Sequence, residues 1–342
     1  MQPIYLDTNA TTPICKEAAD AMLPFLYEHF GNPSSSHPYG VSAKRAVETA
    51  RAQVAALLGC QPHEVTFTSG GTESNNIAIK GVALARRERG NHIITSAVEH
   101  PAVIEVCHWL ETQGLRVTVL PVDSRGLVDP ADLERALTPQ TILVTIMHSN
   151  NEVGTLQPIA QLAQMAHRAG ALFHTDAAQS PGKVAVNVDE LGVDLLSIAG
   201  HKLYAPKGVG ALVIRGGLEL GGVLHGAGQE SGRRPGTENV LEIVGLGKAC
   251  EVAQRDLVKN TAHFQEMRDR LHEALLGELG ADAVRLNGHP EQRLPNTLSL
   301  SFRGVEANTL LAEIGEQVAA SAGAACHADR VDVSAVLTAM GV

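Results

Sequence analysis

Two spacings of apolar residues alternate along this chain. Short runs dominated by apolar and β-branched residues recur as EVTFTS, HIITSA, RVTVLPV, TILVTIMH, ALFHTD, DLLSIAG and GALVIR. Between them lie stretches whose apolar positions return every three or four residues, among them VSAKRAVETARAQVAALLG, PAVIEVCHWLETQG and PIAQLAQMAHRAG. Runs with no polar face read as strands buried on both sides, and the three-to-four spacing reads as helices laid over them. Gly59 ends the first helix as a C-cap. The alternation predicts an α/β fold with a largely parallel sheet covered on both faces. A long charged helical segment from Asn239 to Leu279 leads out of this unit. Beyond it, LPNTLSLSFRG, a helix over EANTLLAEIG and a strand over QVAASAG form a smaller unit, joined by the N-terminal dozen residues. The expected division is a large domain over 13–256, with a small domain made of 1–12 and 257–342. No repeat or low-complexity segment interrupts it.

Composition narrows the function classes. The 342 residues are 44% hydrophobic, enough for one large core and a lesser one. A net charge of -10 repels phosphate backbones, and no basic run is interleaved with aromatics, so nucleic acid is not an expected partner. No stretch reaches the roughly 18 uninterrupted apolar residues of a membrane span. The start, MQPIYLDTNATTP, lacks the charged and apolar regions of a secretory leader, so a cytoplasmic location is expected. Asn9, Ala10 and Thr11 match a glycosylation sequon, which without secretion is a chance match. The cysteines at 15, 60, 107, 250 and 326 contain no C-x-x-C pair, against a zinc site and a thioredoxin-like motif; no metal is expected. Cys60, Cys107 and Cys250 fall in or beside helical patterns and read as small packing residues. Cys326, with His327 beside it in the Gly- and Ala-rich SAGAACHADR, reads as a nucleophile on a mobile arm.

The candidate chemistry lies at strand ends. Asp176 ends ALFHTD and Lys202 follows DLLSIAGH. A lysine beside polar or cationic neighbours forms a Schiff base with an aldehyde cofactor, and a carboxylate against a pyridine nitrogen keeps that ring electron-withdrawing. Alone, each is an ordinary strand-end or surface residue. In VTFTSGGTESNN a β-branched run meets Gly70 and Gly71 and a helix opening at Thr72, a junction that suits one phosphate. Neither G-x-G-x-x-G nor G-x-x-x-x-G-K-[ST] occurs there, so a dinucleotide site or a P-loop is not supported.

The ordered segments YLDTNATTP, GNPSSSH, FTSGGTESNN, TSAVEH, MHSNNEVG, HTDAAQ, GHKLYAPKGVGAL, RRPGTEN, RLPNT and GAACH resemble the pyridoxal phosphate-dependent cysteine desulfurases and selenocysteine lyases of the class V aminotransferase group. The likeness covers essentially the whole chain. GAACH, and the lack of a serine before GHK, are more similar to the lyases; the rest fits either branch. The resemblance implies the type I fold of pyridoxal phosphate enzymes, with a mainly parallel seven-stranded sheet in the large domain and a smaller α+β domain. By the same likeness Lys202 would hold the cofactor, Asp176 would pair with its ring nitrogen, and His100 would stack on the ring and help move protons. Gln179 would bond the ring oxygen, with Asn151 near it. Thr72, the backbone around Gly71, and His201 would hold the phosphate. Thr237 would reach the phosphate of a neighbouring subunit, which implies a homodimer. Lys202 would remove the α-proton of L-cysteine or L-selenocysteine. The Cys326 thiolate would take the sulfur as a persulfide for an acceptor such as an iron–sulfur scaffold, and alanine would leave.

Two departures from the family pattern carry consequences. Ala199 stands where many desulfurases place a phosphate-binding serine, leaving Ser197 or water as the replacement. The chain ends at SAVLTAMGV, where relatives continue through an arginine that grips the substrate carboxylate; Arg233, Arg234, Arg303 and Arg330 are the candidate substitutes. Three readings follow: a cysteine desulfurase, a selenocysteine lyase, and a pyridoxal phosphate-binding homologue impaired by a shortened C-terminus. The joint presence of Lys202, Asp176, His100 and Cys326 argues against the last.

Overall fold

The computed structural model describes residues 2–322 and 334–342. Cys326, His327 and Arg330 lie outside these described residues. In chain order the strands are β1 (Ile4–Tyr5), β2 (Val65–Thr68), β3 (His92–Ser96), β4 (Arg116–Leu120), β5 (Thr141–Thr145), β6 (Leu172–Asp176), β7 (Leu195–Ala199), β8 (Gly210–Ile214), β9 (Val284–Leu286), β10 (Leu300–Phe302) and β11 (Val318–Ala319). The seven apolar runs of the sequence are β2 to β8, and they form one sheet in the order β2-β8-β7-β6-β5-β3-β4. β8 is antiparallel to both its neighbours and the remaining pairs are parallel. Only β4, at an edge, exposes part of its length, which is why Arg116 is tolerated there.

Period-two side-chain alternation splits each strand between two cores. Ile93, Leu195 and Leu212 point to one face, where they meet Ile77 and Val82 of the helix Gly71–Ala85 and Val103 and Leu110 of the helix Pro101–Thr112. Ile94, Leu196 and Val213 point to the other, against Val54 and Leu58 of Pro38–Leu58, Leu162 of Ile159–Arg168 and Leu246 of Val240–Leu279. Pro38–Leu58 starts before the Val41 suggested by the apolar spacing. Pro38 sits at its first position and His37 Nδ1 accepts from Gly40 N at 3.3 Å, a cap hidden from hydrophobic periodicity. Gly247 lets the long helix close on this one, because a Cβ there would fall 2.5 Å from the Ala50 Cα.

Outside the large sheet, β1 pairs in parallel with β11 and β9 pairs antiparallel with β10. The strand expected over QVAASAG is only two residues long. The helix Ala335–Ala339 turns back onto the large sheet, where Val336 and Met340 pack with Val98, Met147 and Val153.

The C-terminal ends of the parallel strands open into the loops that carry most of the candidate residues, the usual ligand edge of such sheets. One buried carboxyl ties two of these loops together. Glu99 Oε1 accepts from Ser96 Oγ at 2.6 Å and from Met147 N at 2.8 Å, joining the end of β3 to that of β5. Its Oε2 is buried with no partner. Burial, with Asp176 adding, pushes the carboxyl from 4.5 up to about 8, so it is protonated at neutral pH. A group raised in the fold contributes stability that is complete below 4.5 and lost as pH rises toward 8. Glu99→Gln should therefore gain on the native chain by up to about 1.4 kcal/mol per pH unit across that window. Denaturant melts at several pH values test this; parallel pH profiles for the two proteins would mean that Glu99 is not held neutral.

Candidate active site

A cavity of about 440 Å³ opens at the end of β2, lined by Ala10, Thr11, Ser69 to Glu73, His201 and Lys207 to Val209. The turn that shapes it needs glycine twice. Gly70 has φ 149°, and a Cβ on Gly210 would lie 2.7 Å from the Gly70 Cα. The helix starts at Gly71, one residue before the expected Thr72. First-turn N–H groups have no partner within a helix, so Gly71, Thr72 and Glu73 give this end of the cavity an anion-binding character. Glu73 is itself engaged, accepting from Ser69 N and from Arg234 Nε at 3.1 Å.

Lys202 sits in the 3₁₀ turn Gly200–Lys202 directly after β7. Its Nζ donates to the carbonyls of Asn9 and, at 2.8 Å, Ala10, the latter a residue that lines the cavity. The carbonyl of His201 accepts from Thr12 N and Oγ1, and its Nδ1 lies 3.2 Å from Thr11 Oγ1. Burial, then the charges of Lys202 and Lys207, depress the His201 imidazole to about 4, leaving it neutral.

Asp176 is 6% exposed at the end of β6. Asn75 Nδ2 donates to its Oδ2 at 2.7 Å and Ala178 N to its Oδ1 at 2.9 Å. Among the described residues no cation pairs with it within 4.0 Å. His100 caps the helix Pro101–Thr112, its Nδ1 accepting from Ala102 N at 3.1 Å. That bond assigns the ring proton to Nε2 in the neutral form. Burial lowers its pKa, Asp176 opposes the shift and Lys202 adds to it, so all three groups share one electrostatic neighbourhood.

Asn9 knits the rest together. Its carbonyl accepts from Gln179 Nε2 at 2.9 Å as well as from Lys202. Its Nδ2 donates to the Asn151 carbonyl at 3.0 Å and to Thr297 Oγ1 at 2.9 Å, and its Oδ1 accepts from Asn296 at 2.9 Å. The sequence marked Asn9 only as part of a chance sequon; its position in YLDTNATTP, and that of Asn296 and Thr297 in RLPNT, carried the only signal. Asn75 and the buried Lys183 were also missed, each standing a few residues from a candidate, Thr72 and Gln179 respectively.

Gly71, Thr72 and His201 thus meet at the cavity, Lys202 is joined to its lining residue Ala10, Asp176 and His100 act electrically on one another, and Gln179 and Asn151 are tied in through Asn9. Thr237 is exposed. The segment leading to it is pinned by Glu230, which takes Arg51 Nη2 at 2.7 Å and Phe67 N at 2.8 Å. Ser197 is no replacement for the phosphate serine, since its Oγ is buried 3.0 Å from His174 Nε2 inside the sheet. Of the candidate carboxylate partners, Arg233 donates to the His63 carbonyl and Arg234 is paired with Glu73. Burial raises the thiols of Cys60 and Cys107 to about 12 and that of Cys250 upward too, so these three are inert packing groups, as expected.

The aminotransferase class-V family profile matches residues 4–340. A protein named cysteine desulfurase IscS from Dictyoglomus turgidum is 50% identical over 99% of this chain and 86% of its own length. A solved NifS-like protein superposes with a TM-score of 0.92 at 38% identity, covering 100% of this chain and 90% of that one. A second, described as SspA in complex with cysteine, gives 0.87 at 38% identity over 99% and 94%. The mainly parallel sheet with its helical layers is the type I fold, and the chain belongs to the aminotransferase class-V family.

Proposed function

We propose that this chain is a pyridoxal phosphate-dependent cysteine desulfurase, converting L-cysteine to L-alanine while Cys326 carries the sulfur away as a persulfide. The observation that carries the reading is a lysine amine hydrogen-bonded to Ala10, which lines a cavity ending in a helix N-terminus, with a buried carboxylate and histidine in its electrostatic neighbourhood. Relatives named cysteine desulfurase, and a similar structure described with cysteine, support the choice of substrate.

The residues fit the cofactor. The cavity at the helix N-terminus, with the first-turn N–H groups of Gly71 and Thr72 and neutral His201, suits the phosphate, and Asp176 is a buried carboxylate with no cation within 4.0 Å among the described residues. When bound, pyridoxal phosphate supplies a sink for electrons from the substrate's α-carbon. Asp176, fixed by Asn75, would hold the ring nitrogen, and Gln179 would donate to the ring oxygen. Lys202 would hold the cofactor and then, freed by the substrate, accept the α-proton at Nζ and return it. His100, with its proton on Nε2, would donate on the ring side.

Support for Cys326 comes from the residues flanking the segment that contains it. Ala319 accepts from Leu6 N in the N-terminal stretch that leads to Asn9, and Ser334 Oγ donates to Glu152, next to Asn151. The homodimer, with exposed Thr237 serving the neighbouring subunit, belongs to the same proposal. So do a sulfur-acceptor protein, a cytoplasmic location, and the division into 13–256 against 1–12 with 257–342. Among the described residues no helix is long and apolar enough to cross a membrane.

Alanine release from L-cysteine and L-selenocysteine in parallel, with cofactor and reductant, is the direct test. Turnover of cysteine is expected; turnover of selenocysteine alone would replace this reading with a selenocysteine lyase. The chain with its cofactor should show a visible absorption band that Lys202→Ala abolishes, and a colourless native protein would remove the cofactor assignment. Cys326→Ser should keep the band yet form no sulfide from cysteine; full activity in that variant would end the persulfide role.

A further inference from the structure

Lys183 is a second lysine beside this site, and it is only 3% exposed. Its carbonyl accepts from Thr261 Oγ1 at 2.8 Å, which anchors the backbone. Its amine has no carboxylate partner among the described residues. Nζ donates instead to the Gln179 carbonyl at 2.9 Å and to Gln179 Oε1 at 3.2 Å. The charged or titratable groups that act on it or feel it are Lys202 and His201, neither of which is an anion. Burial, then repulsion from Lys202, lowers its proton affinity to about 7. Burying an amine this completely is unfavourable, and the bonds to Gln179 are its return.

The geometry decides which way the Gln179 amide faces. A lysine amine near a site of this kind offers hydrogens, and a backbone carbonyl offers only an acceptor. With Lys183 Nζ on one side and the Asn9 carbonyl on the other, only one flip of the amide satisfies both. Its oxygen must face Lys183 and its NH₂ must face the Asn9 carbonyl, which Lys202 also meets. We propose that Lys183 is a positioning residue, locking the Gln179 side chain with its NH₂ donor turned toward the bound cofactor. The consequence for the cofactor rests on the proposed function, in which Gln179 meets the ring oxygen; the orientation of the amide does not.

Two measurements separate these layers. The first uses the chain without cofactor, labelled with ¹⁵N at glutamine side chains, the Gln179 signal being identified by its loss in Gln179→Leu. The NH₂ protons of Gln179 should exchange slowly in the native chain and rapidly in Lys183→Met. Free-amide exchange in the native chain overturns the proposal even if Lys183→Met fails to fold. The second is the pH titration of the visible band in the chain loaded with pyridoxal phosphate. Loss of one hydrogen bond to the ring oxygen in Lys183→Met should raise the midpoint by about half a unit. Adding Lys183→Met to Gln179→Leu should raise it no further. An unmoved midpoint in folded Lys183→Met, or additive shifts in the double variant, also overturns the proposal. Absence of any visible band defeats the cofactor reading instead, and the exchange measurement then decides the role of Lys183 alone.

Discussion

The site depends on one asparagine in the N-terminal stretch lying across the ends of the sheet strands. The Asn9 carbonyl receives both Lys202 and Gln179, and its side chain reaches the loop after β5 and the Asn296–Thr297 turn. A backbone acceptor shared by two donors from different loops fixes their relative position without adding a charge. Removing that stretch would leave the lysine amine and the glutamine amide without their common acceptor, each a buried or half-buried donor with a desolvation cost. The same stretch is held at Thr12 by the His201 carbonyl and at β1 by β11, so the N-terminus and the turn bearing Lys202 form one hydrogen-bonded unit.

Below that layer, the sheet ends enclose ionisable groups that burial keeps neutral. Glu99 is protonated and His201, His148 and His174 are deprotonated at neutral pH, with desolvation the leading cause in each. With these groups neutral, the charges that act on the site are Asp176, Lys202 and Lys207, while Glu73 is paired with Arg234. Asp176 is set by neutral partners, Asn75 and the Ala178 N–H, and among the described residues no cation lies within 4.0 Å of it. Such an arrangement suits charge developing within the site more than it suits stability.

The strands, the covering helices and the strand-end placement of Asp176 and Lys202 were legible because burial on both faces imposes a continuous apolar run and leaves polar residues only at its ends. The start of Pro38–Leu58 was not, since its cap is a histidine and a proline outside the apolar rhythm. Ser197 misled for a related reason: it shares a face of β7 with Ala199 but lies two residues deeper in the sheet, where its Oγ pairs with His174 of β6 rather than reaching the strand-end turn. Asn9, Asn75 and Lys183 were invisible as functional groups because each acts on a partner far away in the chain or through an orientation, neither of which has a spacing.

The sequence by itself determined the class of fold, the family likeness and the residue types able to do the chemistry, because hydrophobic periodicity and short motifs are local properties. Tertiary structure alone decided which polar groups share an acceptor, which carboxyl is protonated and which way an amide faces. Those are set by distance and desolvation between segments as remote as Asn9 and Thr297, and no local pattern encodes a hydrogen bond made across 288 positions of chain.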